Sequence, residues 1–408
     1  MFENIIGHSG VIERLTADVR AGVLPQAILF SGPEYSGKMS VALELARVLT
    51  CEDPEAPWNC GCSSCRKQRL LIHPETLLLG ARYFMEEIRL TRQVMADHRT
   101  VATTYLFVRG VRKLTRRFDR VLWAGEENRI SRIANPLADL EERLSALEPP
   151  RELPEEERLE GEGESIVSSA EKLVAAIPSD PIPILHVRNA SSWAHLSAEG
   201  RNKVVIIENA DQLNESGRNA LLKTLEEPPA HVYFILTSAR RSAMIATILS
   251  RVRDFRMVAR TAQEERQVIE RIFRDGEQPE DSVRSYFLRS TFNYPVPMAA
   301  IVSHLLHEVE DEGAKGMAEL AEAMQEGDPR GVFRYFCEEL TRSLRERLLE
   351  AAAAEPEAAL EATELLAEIN RIVAEHLARV ETRNMSPRST AEALFLALRR
   401  RFPRNAVR

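Results

Sequence analysis

The sequence predicts an α/β domain built on a parallel sheet, interrupted by a helical insertion and followed by helical segments. The first observation behind this is the stretch GPEYSGKMS, Gly32 to Ser40. It stands between an apolar strand, AILFSG, and the helically spaced KMSVALELARVLT, half of a βαβ unit. The second is a later pair of strands, KVVIIENAD (Lys203 to Asp211) and HVYFILTS (His231 to Ser238). They flank the helical NESGRNALLKTLEEPP, which Pro228 and Pro229 stop. Continuous apolar strands alternating with helices need a sheet covered on both faces.

Between Ala81 and Pro181 the strand signal vanishes and helical spacing takes over, which marks an insertion within one α/β domain. Its stretch EPPRELPEEERLEGEGES is acidic and proline-rich and is expected to be disordered. Beyond Phe255 the pattern is helical to the end, with breaks near DGEQPED, NYPVP, EGDPRG and NMSPRS. No internal repeat is visible.

At 408 residues the chain exceeds one hydrophobic core, so two to four domains are expected. A hydrophobic share of 44% and a charged share of 28% belong to a soluble globular protein, and a net charge of −8 argues against a surface coated in nucleic acid. The opening MFENIIGHSGVIERL has no basic region followed by an apolar run, and KVVIIE and VYFILTS are strand-sized. These features predict a cytoplasmic location, with no export signal and no membrane.

The chemistry of GPEYSGKMS is that of a phosphate loop with one break. Such a loop turns backbone N–H groups around phosphates, a lysine reaches the β and γ oxygens, and the next Ser or Thr holds Mg²⁺. Gly32, Gly37 and Lys38 fit; Met39 does not, because a thioether has little affinity for hard Mg²⁺. Ser40 is rotated about 100° further round the helix and points away from the metal position. In VVIIENAD, Glu208 and Asn209 take the places of the metal-binding acid and the water-polarising acid of active ATPases, and an amide is no general base. The degenerate nucleotide site is thus Gly32, Gly37, Lys38, Ser40 and Glu208. Two readings stay open: a loop that binds ATP without fast hydrolysis, and a tight strand-to-helix turn that binds nothing.

Four of the five cysteines crowd into CEDPEAPWNCGCSSC, as Cys51, Cys60, Cys62 and Cys65, while Cys337 stands alone in a helical pattern. Without a secretion signal such a cluster reads as metal ligands before disulfides. Four thiolates suit a structural zinc with no position left for water, and His73 is the substitute ligand if one cysteine cannot reach. The alternative is four free thiols.

In FVRGVRKLTRRFDRVLW, Arg109, Arg112, Lys113, Arg116, Arg117 and Arg120 recur at helical spacings opposite Phe107, Val111, Leu114, Phe118, Val121 and Leu122. A basic stripe could meet DNA phosphates. The preferred reading is a solvated face that pairs with Glu126, Glu127 or the acidic tail after Pro149, since the insertion nearly balances its own charge.

At NALLKTLEEPPAHVYFILTS followed by ILSRVRDF the chain resembles the bacterial DNA polymerase III clamp-loader family of AAA+ proteins. The phosphate loop, the cysteine cluster followed by HPE (His73 to Glu75), and LLKTLEEPP occur in family order. Met1 to Gly80 and Pro181 to Phe255 carry the resemblance well, and the C-terminus loosely. The degenerate loop and IIENAD are similar to the delta-prime branch rather than to the gamma/tau motor subunits. The resemblance implies a RecA-like AAA+ domain over residues 1–256 with a zinc module at about 51–75, a helical lid over 257–312 and a helical collar over 313–408. It also implies a pentamer with gamma/tau-like and delta-like subunits, acting through that complex on a sliding clamp and primed DNA.

In this family the arginine of a Ser-Arg-Cys motif reaches the γ-phosphate held by a neighbouring subunit, and here Ser250, Arg251 and Val252 keep the arginine without the cysteine. The implied role of Arg251 is a finger in trans, which can accelerate hydrolysis by roughly 10³ to 10⁵. The family's cysteine spacing has one more residue between the second and third ligands. Where its lid often carries a nucleotide-sensing arginine, this chain has Val296, Pro297 and Met298. The expected function is therefore a non-hydrolysing clamp-loader subunit. An active gamma/tau-like ATPase is the alternative, and an adaptor on the same frame is a third reading. ETRNMSPRSTAEALFLALRRRF resembles the last collar helices, which favours assembly.

Overall fold

The computed structural model describes residues 1–408 except 81, 83, 150–153, 179–181, 199, 277–281, 285, 288–297, 311–314, 327–328, 355–358, 382–384 and 402–408. The chain divides into two compact units, Met1–Phe287 and Leu288–Arg408. The segment expected as a lid runs across that division.

In the first unit, helix α1 (Ser9–Arg20) precedes strand β1 (Ala27–Ser31), and α2 (Lys38–Thr50) and α3 (Ser63–Arg69) lead to β2 (Thr76–Gly80). The crossover to β3 (Lys203–Glu208) carries α4 (Phe84–His98), α5 (Val101–Thr115), α6 (Glu127–Leu147), α7 (Glu156–Ala176) and α8 (Ile184–Ala194). Then come α9 (Glu215–Glu226), β4 (Val232–Ser238), the single turn α10 (Ala246–Leu249), β5 (Arg253–Arg256) and α11 (Ala262–Val268). The sheet has five strands in the order β2-β3-β4-β1-β5, and every pair is parallel.

The continuous apolar strands are explained by two cores, one on each face. Leu29, Leu77, Leu79, Val205, Ile207, Phe234 and Leu236 belong to one; their alternates Ile28, Phe30, Leu78, Val204, Ile206 and Ile235 belong to the other. Side chains alternate across a strand, so a strand covered on both sides needs apolar residues at every position. The second face packs on α2 through Val41, Leu45 and Leu49. The first packs on α4 to α9, including Ile88, Phe107, Leu114, Leu144, Ile166 and Leu221. The insertion therefore shares the sheet's own core.

Two expectations about the insertion are corrected. The acidic stretch expected to be disordered is, from Glu156 onward, the helix α7; residues 150–153 lie outside the described residues. Leu159, Ile166, Ala170 and Leu173 are buried at helical spacing, and acids elsewhere on the helix, the half-buried Glu162 and the exposed Glu171, pair with Arg143 at 2.9 Å and Arg89 at 2.7 Å. Acidic composition had hidden that apolar stripe.

The basic stripe, expected on one solvated helical face, bends inward. Helix α5 ends at Thr115 and a 3₁₀ turn, Arg116–Phe118, follows. Arg112 and Arg117 are buried at 1% and 6% exposure, and Arg120 is exposed. Arg109 donates to the carbonyl of Arg69 at 2.9 Å and Arg112 to that of Leu70 at 3.0 Å, which supplies donors to the open C-terminal end of α3. Arg116 donates to Thr76 O at 2.6 Å. The acids paired with the stripe are Glu87, Asp119, Glu141, Glu148 and Glu208, while Glu126, an expected partner, pairs with Arg129.

The second unit is helical among its described residues, with helices Met298–Glu310, Lys315–Glu326, Pro329–Ala354, Ala359–Glu381 and Pro387–Arg401. Its core gathers Leu305, Phe333, Phe336, Leu340, Ile369 and Leu394, and it buries the lone Cys337.

Candidate nucleotide loop and metal centre

Strand β1 delivers Gly32 and helix α2 begins at Lys38, so the loop has the strand-to-helix setting its motif needs. Gly32 has φ +152°, and a Cβ there would lie 2.2 Å from Met257 O. Lys38 is buried and its Nζ donates to Gly32 O at 2.8 Å and to Pro33 O. Burial pushes its ammonium down to about 8, against the pull of Glu34, Asp211 and Glu208. Met39 is half-buried and packs on the apolar core, and Ser40 is exposed.

Two residues that sequence reasoning missed complete the loop. Arg260 donates to Tyr35 O at 2.8 Å and to Ile6 O at 3.2 Å, and a Cβ on Gly37 would come within 2.3 Å of its Nη2. His8 Nε2 lies 2.7 Å from Ser36 O. No motif spacing announces contacts between positions so distant in the chain.

Glu208 ends β3 and is buried. Its Oε2 accepts from Arg117 Nη2, and its Oε1 lies 3.5 Å from Arg82 Nη1. Arg82 also pairs with Glu87 at 2.7 Å, and Glu87 pairs with Lys113. Burial pushes Lys113 down to about 8; it also raises Glu87, but Arg82 and Lys113 outweigh that and hold the carboxyl at about 2. Asn209 takes a left-handed turn at φ 52°, with its N–H on Thr237 Oγ1 at 3.1 Å, and Asp211 pairs with Arg240 at 3.3 Å. Lys38 is the cation this loop would present to a phosphate, its Nζ held here by the Gly32 and Pro33 carbonyls. A divalent cation does not suit the site: position 39 offers sulfur instead of oxygen, and both Glu208 oxygens face guanidinium groups.

The sulfurs of Cys51, Cys60, Cys62 and Cys65 all lie within 4.8 Å of one another. Cys51 is 3.4 Å from Cys65 and 3.7 Å from Cys60. Tetrahedral zinc with Zn–S of about 2.3 Å places sulfurs about 3.8 Å apart, so the set fits that ion despite the short Cys60–Cys62 spacing. Cys62 also caps α3, its sulfur accepting from the Cys65 N–H at 3.3 Å. His73, the substitute ligand, is engaged elsewhere: Nδ1 accepts from the Glu75 N–H at 3.1 Å and Nε2 faces Ser64 Oγ at 3.0 Å.

Arg251 follows α10 and is 28% exposed. Its Nε donates to Glu226 Oε1 at 2.8 Å and its Nη1 to Thr247 O at 2.6 Å, so within the chain it is held by an acid at the end of α9. Of the three lid positions, Val296 and Pro297 lie outside the described residues, and Met298 begins a helix.

A parallel sheet carrying a phosphate loop at the carboxyl end of β1, with an acid at the end of β3, defines a phosphate-loop α/β protein. A family model described as "DNA polymerase III, delta subunit" matches residues 7–115 and 166–260, half of the chain. The chain belongs to that family, among the clamp-loader AAA+ proteins its motifs resemble. The match extends beyond the expected edges of the insertion into α4, α5 and α7.

Relatives of both branches are similar over short stretches. DNA polymerase III subunit tau of Salmonella typhimurium is 42% identical over 78 residues, 19% of this chain and 12% of that one. DNA polymerase III subunit delta' of Haemophilus influenzae is 45% identical over 58 residues, 14% of this chain and 18% of the relative. A gamma subunit-related protein from Thermotoga maritima, solved as a crystal structure, is 20% identical, with 58% of this chain and 90% of that chain covered and a TM-score of 0.28. No described helix is long and apolar enough to cross a membrane.

Proposed function

We propose that this chain is a delta-prime-like subunit of the replicative clamp loader that does not hydrolyse ATP itself and supplies Arg251 to a neighbouring ATPase subunit. The observation that carries the reading is the double capture of Glu208 by Arg117 and Arg82, which removes the acid an ATPase needs for its metal. Met39 and Asn209 point the same way. In this reading residues 1–256 are the AAA+ domain, 257–312 a lid and 313–408 a collar. The partners are then gamma/tau-like and delta-like subunits in a pentamer, with sliding clamp and primed DNA reached through the complex, in the cytoplasm. A single zinc at Cys51, Cys60, Cys62 and Cys65 acts as a folding staple. The retained Lys38 and the likeness to tau favour a second reading, an active motor subunit.

Reconstitution with motor partners separates the two. Arg251→Ala leaves assembly intact and removes part of the DNA- and clamp-stimulated ATPase, because only the neighbouring site loses its arginine; Lys38→Ala does much less. The opposite ranking overturns the proposal in favour of a motor.

A further inference from the structure

Arg117 is buried on the face of the Phe84 ring, 5.5 Å from its centroid, with Nη2 on Glu208. Among the described residues its Nε and Nη1 have no hydrogen-bond partner, and neither do Nε and Nη1 of Arg82, whose Nη1 is only in ion-pair range of Glu208. Buried guanidinium donors without acceptors are costly, and such groups are normally satisfied. The surrounding carboxylates already have cations: Glu87 faces Arg82 and Lys113, Asp211 faces Arg240, and Glu86 accepts from Tyr35 Oη at 3.4 Å while lying in the field of Arg82. Tyr35 of the phosphate loop reaches Glu86, and Glu208 ends β3 on the same carboxyl edge of the parallel sheet from which the loop leaves β1, so the unsatisfied donors lie on the edge where the loop would hold a phosphate chain.

An acceptor that completes this arrangement is an anionic phosphoryl oxygen. Charge on such oxygens is usually neutralised by a divalent cation, which this site does not accommodate. We propose that the chain binds nucleoside triphosphate without a divalent cation, the guanidinium groups of Arg82 and Arg117 taking the place of Mg²⁺. Guanidinium suits this because it is always charged and presents several donors in a plane. The inference rests on reading the loop as a phosphate site and is independent of the role of Arg251.

Calorimetric titration of the purified full-length chain with ATP tests it, once in excess Mg²⁺ and once in EDTA. The expected result is binding in both buffers with Kd agreeing within about twofold, a free-energy difference of less than about 0.5 kcal/mol. Arg117→Met is expected to weaken binding in EDTA by about tenfold or more, as loss of a charge-assisted contact to phosphate does. Should that variant fail to fold, as judged by its melting curve, Arg82→Met, at a more exposed position, provides the same readout. Binding that appears only with Mg²⁺, no binding in either buffer, or unchanged affinity in EDTA for the folded variants would each overturn the proposal; the second means that the donors are hydrated. The loader ATPase of Arg251→Ala is read separately, so failure here is distinguishable from failure of the subunit assignment.

Discussion

Arg47 Nη1 donates to Cys65 Sγ at 3.1 Å while its Nη2 donates to Ala56 O at 2.8 Å, so the helix that follows the phosphate loop is hydrogen-bonded to the cysteine loop. Arg47 is buried, and so is its ion-pair partner Glu44, 2.7 Å away. A positive charge beside the sulfurs offsets the negative charge that four thiolates bring to a zinc ion. Removing it also strands Glu44. Arg47→Met is therefore expected to cost about 3–5 kcal/mol of stability and to weaken metal retention about 10- to 100-fold, as loss of an outer partner does. Urea unfolding and zinc release to a colorimetric chelator measure the two effects.

The cysteine cluster is expected to hold one zinc per chain through four thiolates. Elemental analysis of protein purified without added metal should find it, and Cys60→Ser should lose it together with thermal stability. Metal-free wild-type protein whose melting point Cys60→Ser leaves unchanged would mean four free thiols.

Arg117 and Glu208 form a buried pair on neighbouring elements, the turn after α5 and the end of β3. Breaking such a pair from one side leaves an uncompensated charge, so Arg117→Met and Glu208→Leu are each expected to lose about 3–5 kcal/mol, and the double variant less than the sum. Additive losses in a denaturant cycle would show that the pair is not coupled.

Acid should expose Glu87. Its folded value, about 2, lies below the ordinary 4.5, because Arg82 and Lys113 outweigh the effect of burial. Its contribution is thus fully present above pH 4.5 and is lost as pH falls towards 2. In Glu87→Gln, stability followed from about pH 5 to pH 3 should fall less steeply than in the wild type. An identical slope would contradict the assignment.

Gly80 pairs with Glu208 across β2 and β3 at φ +113°, and a Cβ there would stand 2.1 Å from Glu208 O. Gly80→Ala must push these strands apart, so a loss above about 3 kcal/mol is expected. Gly22→Ala is the control: φ is +67° but nothing lies within 4 Å, leaving only the left-handed strain of about 1 kcal/mol. Equal melting temperatures for the two variants would refute the close-approach explanation.

The sheet, the phosphate loop and the cysteine cluster were legible because each is written in contiguous residues. A strand buried on both faces shows as an apolar run such as Val204 to Ile207, and four sulfurs can share one point because Cys51 to Cys65 is a short segment. Met39 packs on the apolar core beside α2, a place its thioether suits. Only the tertiary structure decided the rest. Helical spacing identified a basic stripe but could not say that α3, α4, α6 and β3 would cover it, nor that apolar residues of α7 would find a core among their acids. The pairs that define the site join Lys113 to Glu87 across 26 positions, Arg117 to Glu208 across 91 and Arg260 to Tyr35 across 225. Periodicity and spacing report on the few residues around each position, whereas which carboxylate neutralises which buried guanidinium is set by chain folding that brings distant segments together.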